Sequence, residues 1–259
     1  MFKKLLYVCV VFVMFAFFES GILDVFKINQ ALGQVVYTPV TMLSIDADGN
    51  QVSDSSWVAP GSISNVGRYV LFGSFSPDFV VGDTGTGNDY FLKDLLTGSI
   101  TLVSSNSNGD IGNARSISGH LSGDSRYVLF GSEATNLVIG DTNSVTDVFL
   151  KDLETGSTTL VSTYYNGAIS SQASYAEDMT DDGRYAIFIS RSALTGEPDD
   201  LYFDLYRKDL FNGAIDLVST SSSGVFPFGE AQNSTITNDG RYVVFEINHA
   251  GTAYYHLYL

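Results

Sequence analysis

Arg126-Tyr127-Val128-Leu129-Phe130-Gly131-Ser132, then Asp147-Val148-Phe149-Leu150-Lys151-Asp152-Leu153, then Leu160-Val161-Ser162 form one copy of a segment that the chain repeats four times. The leading arginine marks the beat at Arg68, Arg126, Arg184 and Arg241, intervals of 58, 58 and 57 residues. The same interval recurs at Lys93, Lys151 and Lys208, each followed by Asp and Leu, and at Leu102, Leu160 and Leu217, each followed by Val-Ser. Three registers that agree identify an array of equivalent units.

Each copy holds four short runs rich in β-branched and aromatic residues, separated by Gly, Asn, Asp and Ser clusters. No long 3.6-residue apolar period occurs, so the fold class is all-β. In the second copy we expect strand a over Ala114 to Leu121, b over Arg126 to Ser132, c over Asp147 to Leu153 and d over Ser157 to Thr163. Strand b is apolar almost throughout, as suits a strand covered on both faces. Asp182-Gly183 and Asp239-Gly240 between a and b, and Thr97-Gly98, Thr155-Gly156 and Asn212-Gly213 between c and d, are tight turns that need positive φ. The b-to-c and d-to-a connections are long. In a meander they share one face of the array, and that face is the expected binding side.

The fourth copy stops at Leu259, within its c strand, and lacks a d strand. Thr41-Met42-Leu43-Ser44 followed by Asp48-Gly49 matches Thr101-Leu102-Val103-Ser104 followed by Asn108-Gly109. Pairing the N-terminal strand with the C-terminal one gives a β-propeller of four blades, each of four antiparallel strands, and removes both open edges. A larger ring cut short, or two copies joined, are the rival arrangements.

Met1 to Gly33 reads as a signal peptide, with Lys3 and Lys4 before an apolar run from Leu5 to Phe18 that is short for a membrane span. The propeller then occupies residues 34–259, and we expect an exported, periplasmic or extracellular monomer with no stable membrane span after cleavage. The one cysteine, Cys9, lies in the leader. A net charge of −16, from 29 acidic and 13 basic residues, argues against nucleic acid as partner.

Asp182-Gly183-Arg184-Tyr185-Ala186-Ile187-Phe188, Asn136 to Asn143, Asp147 to Leu153 and Leu160-Val161-Ser162 resemble the repeats of bacterial TolB-type, WD-like β-propellers of exported proteins. The resemblance runs from about Val40 to Leu259 and implies the fold. For function it implies a binding scaffold or a companion to enzymatic domains. The repeat departs from itself at two places: Ser125 stands where the third copy has Gly183, and the fourth copy has a short b-to-c loop.

Candidate chemistry is sparse. Asp83, Asp89, Asp141, Asn143 and Asp147 recur in the b-to-c loops with the oxygen-donor character that calcium prefers, or act as turn formers; no cofactor is required, and calcium is the metal they suit. Strand a lines the channel of a propeller, and its equivalent positions Ser62, His120, Asp178 and Thr235 set His120 beside Asp178 on neighbouring blades, as a hydrogen-bonded or catalytic pair or as a structural one. Trp57, Tyr164, Tyr165, Phe226 and Phe228 in the d-to-a connections can form a platform for a glycan or peptide, or pack over the blade ends. The Arg-Tyr and Lys-Asp columns recur in every complete copy and read as blade-to-blade ties. No nucleophile elbow, phosphate loop or paired-cysteine motif is present. The leading expectation is a non-catalytic scaffold that binds a protein or glycan through its acidic long-loop face; the alternative is a hydrolase or lyase acting on a saccharide at the channel mouth.

Overall fold

The computed structural model describes residues 41–46, 48–59, 61–83, 87–197, 202–220, 229–249 and 254–259. The expected signal peptide lies outside them. Four antiparallel sheets follow one another along Met42–Leu259, which forms one unit. The first holds β1 (Ser56–Trp57), β2 (Tyr69–Ser74), β3 (Asp89–Asp94) and β4 (Ile100–Leu102). The second holds β5 (Ser116–Leu121), β6 (Tyr127–Ser132), β7 (Asp147–Asp152) and β8 (Thr158–Leu160), and the third β9 (Ser174–Met179), β10 (Tyr185–Ser190), β11 (Asp204–Asp209) and β12 (Ile215–Leu217). The fourth holds β13 (Gly229–Ile236), β14 (Val243–His249) and β15 (Tyr255–Tyr258). Strand order is sequential in every sheet, with the d strand at the edge of the first three, so each blade follows the expected meander.

Strands β6 and β10 are buried from their second residue on because both faces meet a neighbouring sheet, and β2 because one face meets the second blade while Val52, Phe79 and Phe91 of its own blade pack on Phe72. Alternation sends successive side chains to opposite blades. Leu71 points forward into a core with Phe130 and Phe149 of the second blade, Leu129 meets Phe188 and Tyr206 of the third, and Ile187 meets Phe245 of the fourth. Burying each such side chain contributes about 1.5–3 kcal/mol. The Gly turns take the expected conformation: φ is +67° at Gly183 and +69° at Gly240, and +78°, +76° and +78° at Gly98, Gly156 and Gly213.

The two charged columns differ in what they join. The Lys column ties blade to blade: Lys151 Nζ donates to Ser105 O and Asn106 O of the first blade, and Lys208 Nζ to Val161 O and Thr163 Oγ1 of the second. The Arg column, expected to do the same, works inside each blade. Arg68, Arg126 and Arg184 reach Asp94, Asp152 and Asp209 across the b–c ladder at 2.7, 2.9 and 3.0 Å. Each guanidinium also lies 4.9 Å from the ring centre of the following Tyr. The arginine side chains are 42–44% exposed. These pairs therefore contribute at most about 1 kcal/mol apiece and serve mainly to fix register.

At the axis, four repeat-equivalent residues meet. Asp181 of the third blade accepts hydrogen bonds on one carboxylate oxygen from Asn65 of the first (3.0 Å) and Asn238 of the fourth (2.5 Å). The second blade supplies Gly123, where a Cβ would come within 2.4 Å of both Asn65 and Asp181. One carboxylate thus gathers turns from opposite ends of the array at the short-hairpin face.

The N-terminal segment carries the geometry of a d-to-a connection. Ile45 bridges Gln51 as Ser105 bridges Ile111 and Thr163 bridges Ile169. Ile45 N donates to Leu43 O just as Ser105 N does to Val103 O. Among the described residues the fourth sheet has three strands, with β15 at its edge.

Candidate functional site

Strand a bends in the second, third and fourth blades. The a–b register shifts between Ile117 and His120, between the partners Ile187 and Phe188 of β9, and between Gln232 and Thr235, with Ser118 and Asn233 at φ +51° and +50°. Such bulges re-aim the side chains that follow. Here they direct Glu177 and Asp178 at the fourth blade. Asp178 accepts from Thr235 Oγ1 (2.7 Å) and Ile236 N (3.1 Å), and Glu177 from Ser234 N (2.8 Å) and Ser234 Oγ (3.1 Å). Burial raises the Glu177 pKa above the ordinary carboxylate range.

His120, on the a strand of the second blade, interacts electrostatically with Asp178. Burial lowers its pKa, and the Asp178 charge works in the opposite sense. The expected His120–Asp178 pair is therefore brought into electrostatic contact, with Thr235 as the third member of the layer. Ser62, the fourth, is buried and bonded to Ala59 of its own loop. Glu177 escaped the sequence reading because its equivalents are Gly61, Gly119 and Ser234, so no repeated chemistry marks the column.

The acidic b-to-c residues divide into two kinds. Asp89 and Asp147 are buried at the start of the c strands, and each accepts from a d-strand serine, Ser104 at 2.6 Å and Ser162 at 2.7 Å. The same serines accept from Tyr90 N and Val148 N, and Ser219 repeats both bonds with Asp204 and Leu205 N. Desolvation pushes Asp89 and Asp147 up to about 6. Asn143 donates to Asp147 Oδ2 (3.1 Å) and Ser170 O (2.7 Å) and accepts from Val145 N, which is the behaviour of a loop tie. Asp141 accepts from Asn143 N. Among the described residues no group of three or more His, Cys, Asp or Glu side chains is placed to hold a metal ion.

Asp83 belongs instead to a surface cavity of about 390 Å³ on the long-loop face, lined by Asp46, Asp48, Asp78 and Asp83 around Pro77, Phe79, Val80 and Val81. Backbone and side-chain donors of Asn50 hold the Asp46 pKa below its usual range, and those of Ser53 do the same for Asp78. Both carboxylates are charged at neutral pH. Val81 is fully exposed, and so is its equivalent Ile139 in the second blade.

The described aromatic residues occupy separate places in the fold. Trp57 sits in β1, its ring over Gly73 and 5.2 Å from Phe75, with Tyr90 edge-on at 6.5 Å. Tyr164 is half-buried in the core between the second and third blades, its hydroxyl 3.4 Å from Ser192 Oγ. Tyr165 is exposed beside Gly196. Phe226 and Phe228 lie outside the described residues. No described helix is long and apolar enough to cross a membrane.

No protein-family model and no curated protein sequence matches the chain. Solved structures do. A putative TolB from Agrobacterium tumefaciens is 16% identical with a TM-score of 0.50, covering 80% of this chain and 58% of that one. TolB from Acinetobacter baumannii is 18% identical at 0.48, covering 79% and 40%. An oligogalacturonate lyase from Vibrio parahaemolyticus is 13% identical at 0.43, covering 82% and 67%. The chain thus spans about half the length of the TolB structures it matches, and at these identities the likeness concerns the fold. With its sequential four-stranded meanders and inter-blade cores, the chain folds as a TolB-like β-propeller.

Proposed function

We propose that this chain is an exported, non-catalytic propeller scaffold that binds a basic protein through its long-loop face. The observation that carries the reading is the cavity walled by Asp46, Asp48, Asp78 and Asp83 with an apolar lining of Phe79, Val80 and Val81 and no basic residue. An aliphatic wall beside carboxylates suits the stem and charged head of a lysine or arginine side chain. Arg115 and Arg191, which stand in connections of the second and third blades, are already paired with Glu133 and Glu230. The scaffold acts as a monomer and requires no cofactor. The b-to-c carboxylates serve as acceptors for turns and strands, a role that the bonds of Asn143 and Ser162 support.

Calorimetry with a lysine- and leucine-containing peptide tests this. Affinity should fall about tenfold or more between roughly 20 and 300 mM salt. It should also be lost in the Asp48→Lys/Val81→Lys double variant, whose positions are exposed enough to leave the fold intact. Salt-independent binding, or a variant that binds as well as the parent, would refute the assignment.

The enzyme reading has one observation in its favour, the His120–Asp178–Thr235 layer across three successive blades. A saccharide hydrolase or lyase working there loses turnover in His120→Ala while remaining folded; a scaffold has none to lose.

A further inference from the structure

Three of the four a-to-b turns place glycine at one position: Gly67, Gly183 and Gly240, with φ of +67°, +67° and +69°. The second blade has Ser125 there, held at φ +66°. A side chain in that conformation costs about 1–2 kcal/mol and persists only where its surroundings impose it. The cost is not the only difference. At the next two interfaces the tyrosine that opens the preceding b strand lies directly on the glycine: a Cβ on Gly183 would stand 2.2 Å from Tyr127 Cδ2, and one on Gly240 would stand 2.3 Å from Tyr185 Cδ2. Ser125 carries that Cβ. Tyr69, the tyrosine of the first blade, cannot lie over the turn as Tyr127 and Tyr185 do, and the space between the first two blades opens into a cleft of about 460 Å³.

The cleft mixes surfaces that a polar, uncharged ligand needs. Tyr69 and Leu92 supply apolar wall, Thr101 and Ser125 supply hydroxyls, and Arg126 and Glu154 stand at the second-blade side. The Arg126 guanidinium bonds Asp152 and Glu154 at 2.9 and 3.2 Å, so donors and acceptors are held in fixed places before anything binds. Asp94 is paired with Arg68, and the remaining carboxylates of Asp124 and Glu154 outnumber the one lining guanidinium, which disfavours phosphates and uronates. The volume lies within the range of small-molecule sites.

We infer that the cleft between the first and second blades, opened by Ser125 on the short-hairpin face, is a binding site for a neutral saccharide. One or two sugar rings pack against the cleft wall formed by Tyr69 and Leu92 and share hydroxyls between Arg126, Glu154 and Thr101. The site is separate from the long-loop face and stands or falls independently of the protein-binding reading.

The test is an amide-resolved NMR titration of the full propeller with maltotriose, cellotriose and the N-acetylated chitotriose, all neutral, repeated on Ser125→Gly. That variant removes the strained Cβ, so it retains the fold and lets Tyr69 settle over the turn. The expected result is saturable, millimolar-range shifts at Thr101, Ser125 and Arg126 with at least one of the three sugars, weakened at least tenfold in Ser125→Gly. Three outcomes overturn the inference: no saturable shift with any of the sugars, shifts confined to the long-loop face around Asp48 and Val81, or equal affinity in Ser125→Gly. The second of these would leave the acidic face in place as a binding surface while removing this one.

Discussion

The buried carboxylates at the start of the c strands show how one repeated residue carries two readings in sequence. Asp89 and Asp147 look like metal ligands in sequence because oxygen donors recur in acidic loops. Their partners, Ser104 and Ser162, lie on the adjacent strand, and only the ladder brings them to 2.6 and 2.7 Å. The same pairing explains why Leu-Val-Ser recurs: the serine satisfies a buried carboxylate and a backbone N–H at once. A pH dependence follows. Both groups titrate near 6 in the folded protein, above the usual 3.8, so native protein holds their protons more tightly than unfolded chain. Their contribution is fully present below about pH 3.8 and is lost as pH rises through 6. Asp94 runs the other way: bonded to Arg68, it titrates at about 2, and its contribution is present above about pH 3.8 and lost as pH falls through 2. Melting temperature should therefore peak at mildly acidic pH, near 4 to 5, and decline towards pH 7.5. The Asp89→Asn/Asp147→Asn double variant should flatten that decline, and an unchanged slope would contradict the account.

Among the elements, the tight turns were the most legible and their neighbours the least. Asp-Gly and Thr-Gly pairs between apolar runs specify positive φ on local grounds, and every such glycine in the described hairpins adopts it. Sequence also marks Ser125 as a departure from the repeat. What it cannot convey is that the opposing surface is a tyrosine from the previous blade, because that contact crosses a blade boundary. The consequence can be measured by substituting the glycine at a closed interface. Gly183→Ala meets both the positive φ and the ring of Tyr127 at 2.2 Å, and should destabilise by about 2–4 kcal/mol in chemical denaturation. A loss of less than about 0.5 kcal/mol would mean that the ring is not held against the turn. The channel strands show the opposite limit: their bulges and the differing residues at Glu177, Asp178 and His120 leave no periodic trace, so only part of that layer was accessible from sequence.

For the whole molecule, the count of four units and their order were legible from the repeat, whereas the arrangement at the axis was not. Asn65, Gly123, Asp181 and Asn238 are equivalent by position but unlike in chemistry, and their convergence depends on curvature that no single blade encodes. The same curvature bears on how the ring ends. Positions packed at internal interfaces stand open at the fourth: Val244 is 39% exposed where Leu71, Leu129 and Ile187 are buried, and Gly67 has no atom within 4 Å of its Cβ site where Gly183 and Gly240 have a tyrosine ring. The N-terminal hairpin already has the form of a d-to-a connection. By the register that pairs Phe91 with Leu102, a closing strand sets Met42 opposite Tyr258. The most direct test is therefore a Met42→Cys/Tyr258→Cys variant of the leader-free chain, oxidised at low concentration. Closure of one ring from one chain predicts an intramolecular disulfide in a monomer, formed in high yield and raising the melting temperature. A covalent dimer, or two thiols that stay free in folded protein, would contradict it.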